Sequence, residues 1–172
     1  MTRPVNKFVM KVEIRQVGPG DEGLFERIAE DVFDEPIVPE RLAAHLAEPN
    51  HVMLVALVDG EIVGQCAAVI HRHPDKVTEL YIDEVGVAPK VHRQGIARQM
   101  LERMFDIGLE RGCGEAWVGT EPDNVPARRL YETAKEKGEP AETFVMYLYD
   151  LMPDLPADKP SVDDKVDAGD EG

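Results

Sequence analysis

One stretch near the middle of the chain constrains the fold more than any other. An apolar run, Val85-Gly86-Val87-Ala88-Pro89, leads into a short basic loop, His92-Arg93-Gln94-Gly95, and then into apolar residues at three- and four-residue steps (Met100, Leu101, Met104, Phe105 and Leu109). This pattern predicts a strand that turns into a helix beginning near Gly95. The first N–H groups of a helix have no intrahelical partner and lie at the positive end of its dipole, so they form an anion site, usually for phosphate. A glycine at position 95 keeps a side chain from holding the phosphate away from these amides.

The remaining patterns predict an α+β protein with a mixed, mostly antiparallel sheet and helices on both faces. Asp59-Gly60 separates two apolar runs and predicts a hairpin with a two-residue turn. Strands are expected over 11–17, 52–58, 61–69, 79–87, 115–120 and 143–151. Helices are expected over 21–33, with Asp21 as its cap, and over 39–47, 95–111 and 125–137. We therefore expect an N-terminal extension of residues 1–10, one domain over 11–151, and an acidic, proline-containing disordered tail over 152–172.

Composition excludes some classes of function. The 172 residues carry a net charge of −15, and nucleic-acid binding needs a basic face. No apolar stretch approaches the roughly 20 residues of a membrane helix, and no apolar segment typical of a signal peptide follows the first residues. Cys66 and Cys113 lack the spacing of metal ligands, so two reduced cysteines are expected. A cytoplasmic protein whose acidic body attracts cationic small molecules fits these features.

Two motifs, in the right order and separated by a predicted strand, resemble the GNAT superfamily of N-acetyltransferases. The first is the Val85–Ala97 segment. The second, Asn124–Glu132, looks like the family pattern Asn-x-x-Ala-x-x-Leu-Tyr-Glu. The resemblance covers residues 11–151 and implies a GNAT-like acyl-CoA N-acyltransferase fold with acetyl-CoA as co-substrate. Within the superfamily, Tyr81–Val87, Val118–Ala127 and Tyr149-Asp150-Leu151 look like the aminoglycoside 3-N-acetyltransferase branch.

The resemblance also implies which residues bind the cofactor. The backbone of the strand end would pair with pantetheine, the N–H of Val87 would donate to the thioester oxygen, and the loop would hold the pyrophosphate. The residues concerned are Val85, Gly86, Val87, His92, Arg93, Gln94, Gly95, Ile96, Ala97 and Asn124. Asn124 is also placed to cap the following helix. Two departures stand out, since His92 replaces the usual Gln or Arg, and residues 137–141 replace the usual Gly-Phe.

Acetyl transfer to an amine needs a proton acceptor, because the amine attacks only in its neutral form. Glu84 is our candidate for the base or for binding the amine, although a solvated strand residue or an ion pair is the plain alternative. Glu79 and Asp83 are poorer candidates, and strand alternation predicts that Asp83 faces away from Glu84. The resemblance implies that Tyr131 protonates the departing CoA thiolate. A core tyrosine with a satisfied hydroxyl is the alternative.

The acceptor is less constrained. Glu121 and Asp123 lie in a loop where they would contact a cationic acceptor or only solvent, and Asp34 and Glu35 lie where the superfamily shapes its acceptor pocket. His71 and His73 lack a nearby Cys or paired acids, so no metal is expected. The expected partner is a small cationic amine, and binding to nucleic acid or to a membrane is not expected. The apolar run 144–151 either supports a homodimer or closes the core. A protein, peptide or metabolite amine as acceptor, and a non-catalytic acyl-CoA-binding module, stay open as alternatives.

Overall fold

Five strands form one mixed sheet in the computed structural model, which describes residues 10–134, 140–149 and 151. The strands are β1 (Glu13–Val17), β2 (His51–Val58), β3 (Glu61–His71), β4 (Glu79–Val87) and β5 (Glu115–Val118). They lie in sequence order, with antiparallel pairing from β1 to β4 and parallel pairing between β4 and β5. The helices are α1 (Pro39–Ala47), α2 (Ile96–Glu110) and α3 (Val125–Ala134), with short 3-10 turns at Glu22–Glu26 and Pro89–Val91. The predicted mixed, mostly antiparallel sheet is confirmed.

Helices cover both faces of the sheet, as predicted. Nearly every residue of β2 and β3 is buried, which requires cover on both sides because successive strand residues face opposite ways. On one face, the Met100 side chain of α2 lies against Gly64, where a Cβ would meet it at 3.1 Å. On the other face, Leu42 of α1 shares a pocket wall with Met53 and Ala67. The two faces of the same strands therefore pack against different helices, α2 on one side and α1 on the other.

The pairing of strand β4 with its neighbours changes at Asp83. Its first residues, Glu79–Ile82, pair with β3 on one side and with β5 on the other. Next, Ala68 lies opposite Ile82 but Ala67 lies opposite Glu84, so Asp83 is an inserted residue and forms a β-bulge. Beyond the bulge, the β4–β5 ladder of the described residues has ended at Ile82–Val118. Among the described residues, one edge of β4 thus has no neighbouring strand from Asp83 to Val87 and is open.

The predicted helix over 21–33 is wrong. The Asp21 carboxylate accepts hydrogen bonds from the Gly18 N–H and the Arg15 guanidinium instead of capping a helix, and only a 3-10 turn forms at Glu22–Glu26. The chain then pairs with the start of β3, because the Ile62 N–H donates to the carbonyl of Arg27 and the Ala29 N–H donates to the carbonyl of Ile62 (both 2.8 Å). This bridge requires an extended backbone, which periodicity alone does not reveal.

The last predicted strand, over 143–151, also does not form in the part of this range that the structure describes, 143–149 and 151. Residues up to Pro140 make one compact unit and those from Ala141 belong to a second. In the described part of the second unit there is no helix or strand, and the six side chains from Phe144 to Tyr149 are exposed, Leu148 at 80%. A strand needs a neighbour that satisfies its backbone groups, and an apolar pattern does not supply one.

Several predictions concern other parts of the chain. The N-terminal extension (except Met10), the acidic tail and residues 135–139 at the end of the predicted helix 125–137 lie outside the described residues. Within the described residues, every helix is too short or too polar to cross a membrane.

Candidate active site

The start of α2 has the geometry that the sequence predicts for an anion site. Gly95 precedes the helix with φ 75°, in the left-handed region that glycine favours, and a Cβ there would face open space. The first bond of the helix runs from the Gln99 N–H to the Gly95 carbonyl (3.0 Å), so the N–H groups of residues 96–98 have no intrahelical partner. Arg93 also has a positive φ of 62°. The loop therefore turns sharply twice and leaves amides at the positive end of a 15-residue helix.

His92 makes a local contact besides the cofactor contact that the resemblance implies. Its Nε2 lies 2.7 Å from the carbonyl oxygen of Val87, which accepts a hydrogen bond from the ring. The imidazole therefore links the loop to the end of β4.

The end of β4 directs backbone groups toward its open edge. The Ala88 N–H donates to the Val63 carbonyl of β3 (2.9 Å), and successive N–H groups of a strand point to opposite sides, so the Val87 N–H points away from β3. Gly86 has a packing role here, because a Cβ at this position would collide with the Val32 carbonyl oxygen. The connector before α1 thus lies directly against the strand end.

Glu84 lies in the wall of a pocket of about 270 Å³ on the α1 face, beside Phe33, Ile37 and Met53. Its carboxylate accepts a hydrogen bond from the Gln65 Nε2 (2.8 Å) and remains open to solvent. Partial burial raises the pKa of Glu84, the Gln65 bond opposes that shift, and the negative charges of Asp83 and Asp34 raise the pKa further. A carboxylate with a raised pKa is a better proton acceptor than an ordinary one.

Asp83 does not face away from Glu84 as strand alternation predicts. Both residues line the same pocket, because the bulge at Asp83 interrupts the alternation of β4. The pocket therefore holds two adjacent carboxylates, and Asp34 is close enough to act on one of them. Asp83 also raises the pKa of His45, against the larger lowering effects of burial and of His51.

Glu79, at the other end of β4, has a different environment. It is 7% exposed, and its carboxylate accepts hydrogen bonds from Lys76 Nζ (2.6 Å), His73 Nε2 (3.1 Å) and Trp117 Nε1 (3.3 Å). The Lys76 bond is the largest cause of its lowered pKa, with burial opposing it. This carboxylate is unsuited to act as a base, in agreement with its low rank in the sequence analysis.

Tyr131 lies half-buried in α3, on the α2 side of the sheet. Burial raises the pKa of its phenol, and Cys66 and Glu121 raise it further. Cys66 pairs with Val85 in the sheet, so the phenol lies near the open part of β4. The helix is held in place by the Arg98 guanidinium of α2, which donates to the Thr133 carbonyl (2.7 Å).

The cap predicted for Asn124 is present, since its Oδ1 accepts a hydrogen bond from the Ala127 N–H (3.2 Å). The proposed acceptor residues Asp34, Glu35, Glu121 and Asp123 are all exposed. Of these, Asp34 acts on Glu84 and Glu121 acts on Tyr131, whereas Glu35 and Asp123 have no such link to either residue among the described contacts.

Sequence reasoning missed Gln65. This side chain is 2% exposed in an otherwise apolar strand, and its Oε1 has no hydrogen-bond partner among the described residues. A buried glutamine within an apolar run is a signal that the sequence did contain, because buried polar groups normally have a partner and a reason.

The fold agrees with comparisons to known proteins. The family model described as "Acetyltransferase (GNAT) family" matches residues 22–135, and the chain belongs to this family of acetyltransferases. An uncharacterized N-acetyltransferase of Mycobacterium bovis is 29% identical over 119 residues, which cover 69% of this chain and 73% of the relative.

One further relative and one solved structure of similar fold carry more specific names. The aminoglycoside N(6′)-acetyltransferase type 1 of Salmonella typhimurium is 25% identical over 101 residues, covering 52% of this chain and 69% of the relative. The crystal structure of an aminoglycoside acetyltransferase from an uncultured soil metagenomic sample, in complex with sisomicin, is 23% identical, with a TM-score of 0.68 over 82% of this chain and 97% of that one. The Salmonella relative is named for the 6′ position and not for the 3-N branch that the sequence motifs resemble.

Proposed function

We propose that this acetyltransferase transfers the acetyl group of acetyl-CoA to a primary amine of a small polycationic molecule, by direct attack in a ternary complex. The observation that carries the proposal is the position of Glu84. A carboxylate with a raised pKa lies in a pocket on the α1 face, at the point where β4 loses its β5 neighbour.

The donor side of the site uses backbone groups. The unpaired N–H groups at the start of α2 would bind the pyrophosphate of acetyl-CoA, as the family resemblance implies. Pantetheine would pair with the open edge of β4 like an added strand. The Val87 N–H, directed toward that edge, would stabilise the negative charge that develops on the thioester oxygen.

The acceptor side uses carboxylates. Asp34 and Asp83 both lie close enough to Glu84 to raise its pKa, and three acids suit a molecule with several amino groups. The names of two relatives, which act on aminoglycosides, support an aminoglycoside-like acceptor. A peptide or metabolite amine is the alternative acceptor, and a non-catalytic acyl-CoA-binding module is the alternative to catalysis.

The proton balance of the transfer follows from these positions. The amine nitrogen forms a bond to the acetyl carbonyl carbon, and Glu84 accepts the amine proton directly or through water. The tetrahedral intermediate collapses with cleavage of the C–S bond, and the Tyr131 hydroxyl protonates the CoA thiolate. The pKa of Tyr131 is raised, so its phenol is protonated at neutral pH and carries the proton that the thiolate takes, although the same shift makes it a weaker acid than an ordinary tyrosine.

The test is an assay of CoA release with a thiol reagent, using acetyl-CoA and a panel of aminoglycosides, peptides and metabolite amines. We expect turnover with at least one aminoglycoside and a decrease of about tenfold or more in kcat for Tyr131→Phe, without a matching change in KM for acetyl-CoA. Tyr147→Phe removes a hydroxyl from an exposed residue and serves as the matched control.

Each other outcome removes a defined part of the proposal. Turnover with only peptide or metabolite amines would discard the aminoglycoside-like acceptor and keep the reaction. Binding of acetyl-CoA without turnover on any amine would favour the non-catalytic module.

Two further predictions remain attached to this proposal. A cytoplasmic location is expected from the sequence. A homodimer formed through residues 144–149 is supported by their six exposed apolar side chains, and sedimentation of the protein with and without a Leu148→Asp substitution tests it.

A further inference from the structure

Three potential metal ligands meet where β3 ends and β4 begins. His71 is the last residue of β3, and its register partner is Glu79, the first residue of β4. Directly opposed residues of an antiparallel pair have Cβ atoms about 5 Å apart, so the two side chains are neighbours. His73 follows two residues after His71 and places its Nε2 3.1 Å from Glu79 Oε2. The register thus supplies the acidic partner that the sequence analysis found missing near these histidines.

The distances fit a divalent cation. One ligand atom from each of His71, His73 and Glu79 lies within 4.8 Å of the others. Tetrahedral Zn²⁺ with bonds near 2.1 Å separates its ligand atoms by about 3.4 Å, close to the distance between His73 and Glu79. Rotation of the half-buried His71 ring at the strand end would bring its nitrogen closer to the other two ligand atoms. Two imidazoles and a carboxylate form a donor set that Zn²⁺ accepts, and a fourth position remains for water.

The surroundings can accommodate the added charge. Glu79 uses Oε1 for Lys76 and Oε2 for His73, so a cation on Oε2 leaves the lysine bond in place. Asp75 and Glu115 lie near the Lys76 ammonium and add negative charge to the cluster.

We propose that His71, His73 and Glu79 form a binding site for a single Zn²⁺ ion, separate from the acetyl-transfer site. Glu79 and Glu84 are five residues apart along β4, about 16 Å at the rise of a strand, so the ion would not contact the acceptor pocket. Its effect would be to fix the β3–β4 connector against the first strand residue. Neither the proposal nor its test depends on acetyl transfer.

The single tryptophan of the chain is a built-in reporter. Trp117 donates to Glu79 Oε2 (3.3 Å) and packs at a tilt against Tyr81, with ring centroids 4.3 Å apart. Its ring is nearly perpendicular to that of His71, with centroids 6.5 Å apart. Metal binding to Oε2 must therefore change its environment. The experiment is a titration of the EDTA-treated full chain with ZnSO4, followed by Trp117 fluorescence and by competition with a chromophoric chelator.

We expect saturable binding of one Zn²⁺ per chain, a higher Tm in its presence, and at least a 100-fold weaker affinity in the His71→Gln/His73→Gln double variant. The control is His51→Gln. This residue lines the same groove of about 740 Å³ as His71 and His73 but is not part of the cluster, so its affinity should stay within about threefold of the wild type. Circular dichroism checks that the double variant is folded. If it is not, the single His73→Gln variant, at a partly exposed side chain, replaces it.

Two outcomes would overturn the proposal. One is an unsaturable wild-type titration, or a wild-type affinity no higher than that of the double variant. The other is an equal loss of affinity in His51→Gln, which would assign the ion to the His45–His51 pair, whose rings lie 4.6 Å apart.

Discussion

The two glutamates of β4 have the same side chain and opposite environments. Glu79 lies where the strand is paired on both sides, is buried, and has three hydrogen-bond donors on its carboxylate. Glu84 lies beyond the bulge, where one edge of the strand is open, and has one donor among the described side chains. The pKa of Glu79 is lowered and the pKa of Glu84 is raised.

The difference shows how a single strand can hold one carboxylate fixed and leave another reactive. Cations and hydrogen-bond donors stabilise the ionised form of Glu79, whereas partial burial and two neighbouring acids disfavour the ionised form of Glu84. The change occurs over five residues, and the inserted residue Asp83 marks the boundary. Before this boundary β4 pairs with β5 and Glu79 has a structural role. After it the pairing is lost, and Glu84 is the residue proposed for catalysis.

The largest expected effect is on catalysis. Glu84→Gln should lower kcat by about 10²- to 10³-fold because the amide cannot accept the amine proton, while the fold persists because the amide oxygen can still accept the Gln65 bond. CoA release measures the rate and thermal melting measures the fold. Glu115→Gln, an exposed position on β5, is the control and should leave kcat within a factor of about two. Equal losses in both variants would contradict a specific role for Glu84.

A second effect concerns the close approach at the open end of the strand. Gly86→Ala should lower the free energy of unfolding by about 1–3 kcal/mol, because its Cβ would meet the Val32 carbonyl, a backbone group that has little freedom to move. Urea denaturation checks this value. Gly23→Ala, where a Cβ meets nothing within 4 Å, should change stability little. A Gly86→Ala protein as stable as the wild type would mean that the connector before α1 does not lie against β4.

A third, smaller effect sharpens the role of Gln65. Its hydrogen bond lowers the pKa of Glu84, so Gln65→Leu should raise that pKa and move the acid limb of the kcat/KM profile to higher pH. The profile of CoA release against pH measures the shift. An acid limb that stays in place would show that a group other than Glu84 controls it.

The smallest expected effect is a difference between Glu79 and Glu84 in how each changes the stability of the protein as the pH falls. The lowered pKa of Glu79 provides stability that is present above the ordinary carboxyl value of 4.5 and lost as pH falls through the folded-state pKa. The raised pKa of Glu84 has the opposite sign, with stability present at low pH and lost as pH rises through the folded-state value. As pH falls from 7, the Tm of Glu79→Gln should therefore fall less steeply than that of the wild type, and the Tm of Glu84→Gln more steeply. Parallel curves for all three proteins would contradict the contrast.

The sequence predicts most of the fold because its signals are local. The hairpin at Asp59-Gly60, the strand before the basic loop and the helix after Gly95 each combine periodicity with a turn residue, and all three are confirmed. The failed elements depend on partners elsewhere in the chain. Residues 27–29 pair with β3 instead of continuing a helix, and the apolar run 144–149 has no strand partner among the described residues.

The candidate site follows the same rule. Motifs identify the helix start and Glu84, since both belong to local patterns. The position of Asp83 could not be predicted, because a bulge depends on the register between two strands. The partners of Glu79 lie 3, 6 and 38 residues away, and only the assembled sheet brings Trp117 to it.

The two buried thiols have a practical consequence. Burial, together with the charge of Asp83, raises the pKa of Cys66 to about 12, and burial raises the pKa of Cys113. Thiol reagents react with the thiolate, so both cysteines should be unreactive while the protein is folded and should react when the core unfolds. In an assay with a thiol reagent, the fast reaction would therefore measure CoA release. A slow reaction in the absence of acetyl-CoA would measure the rate at which the core opens.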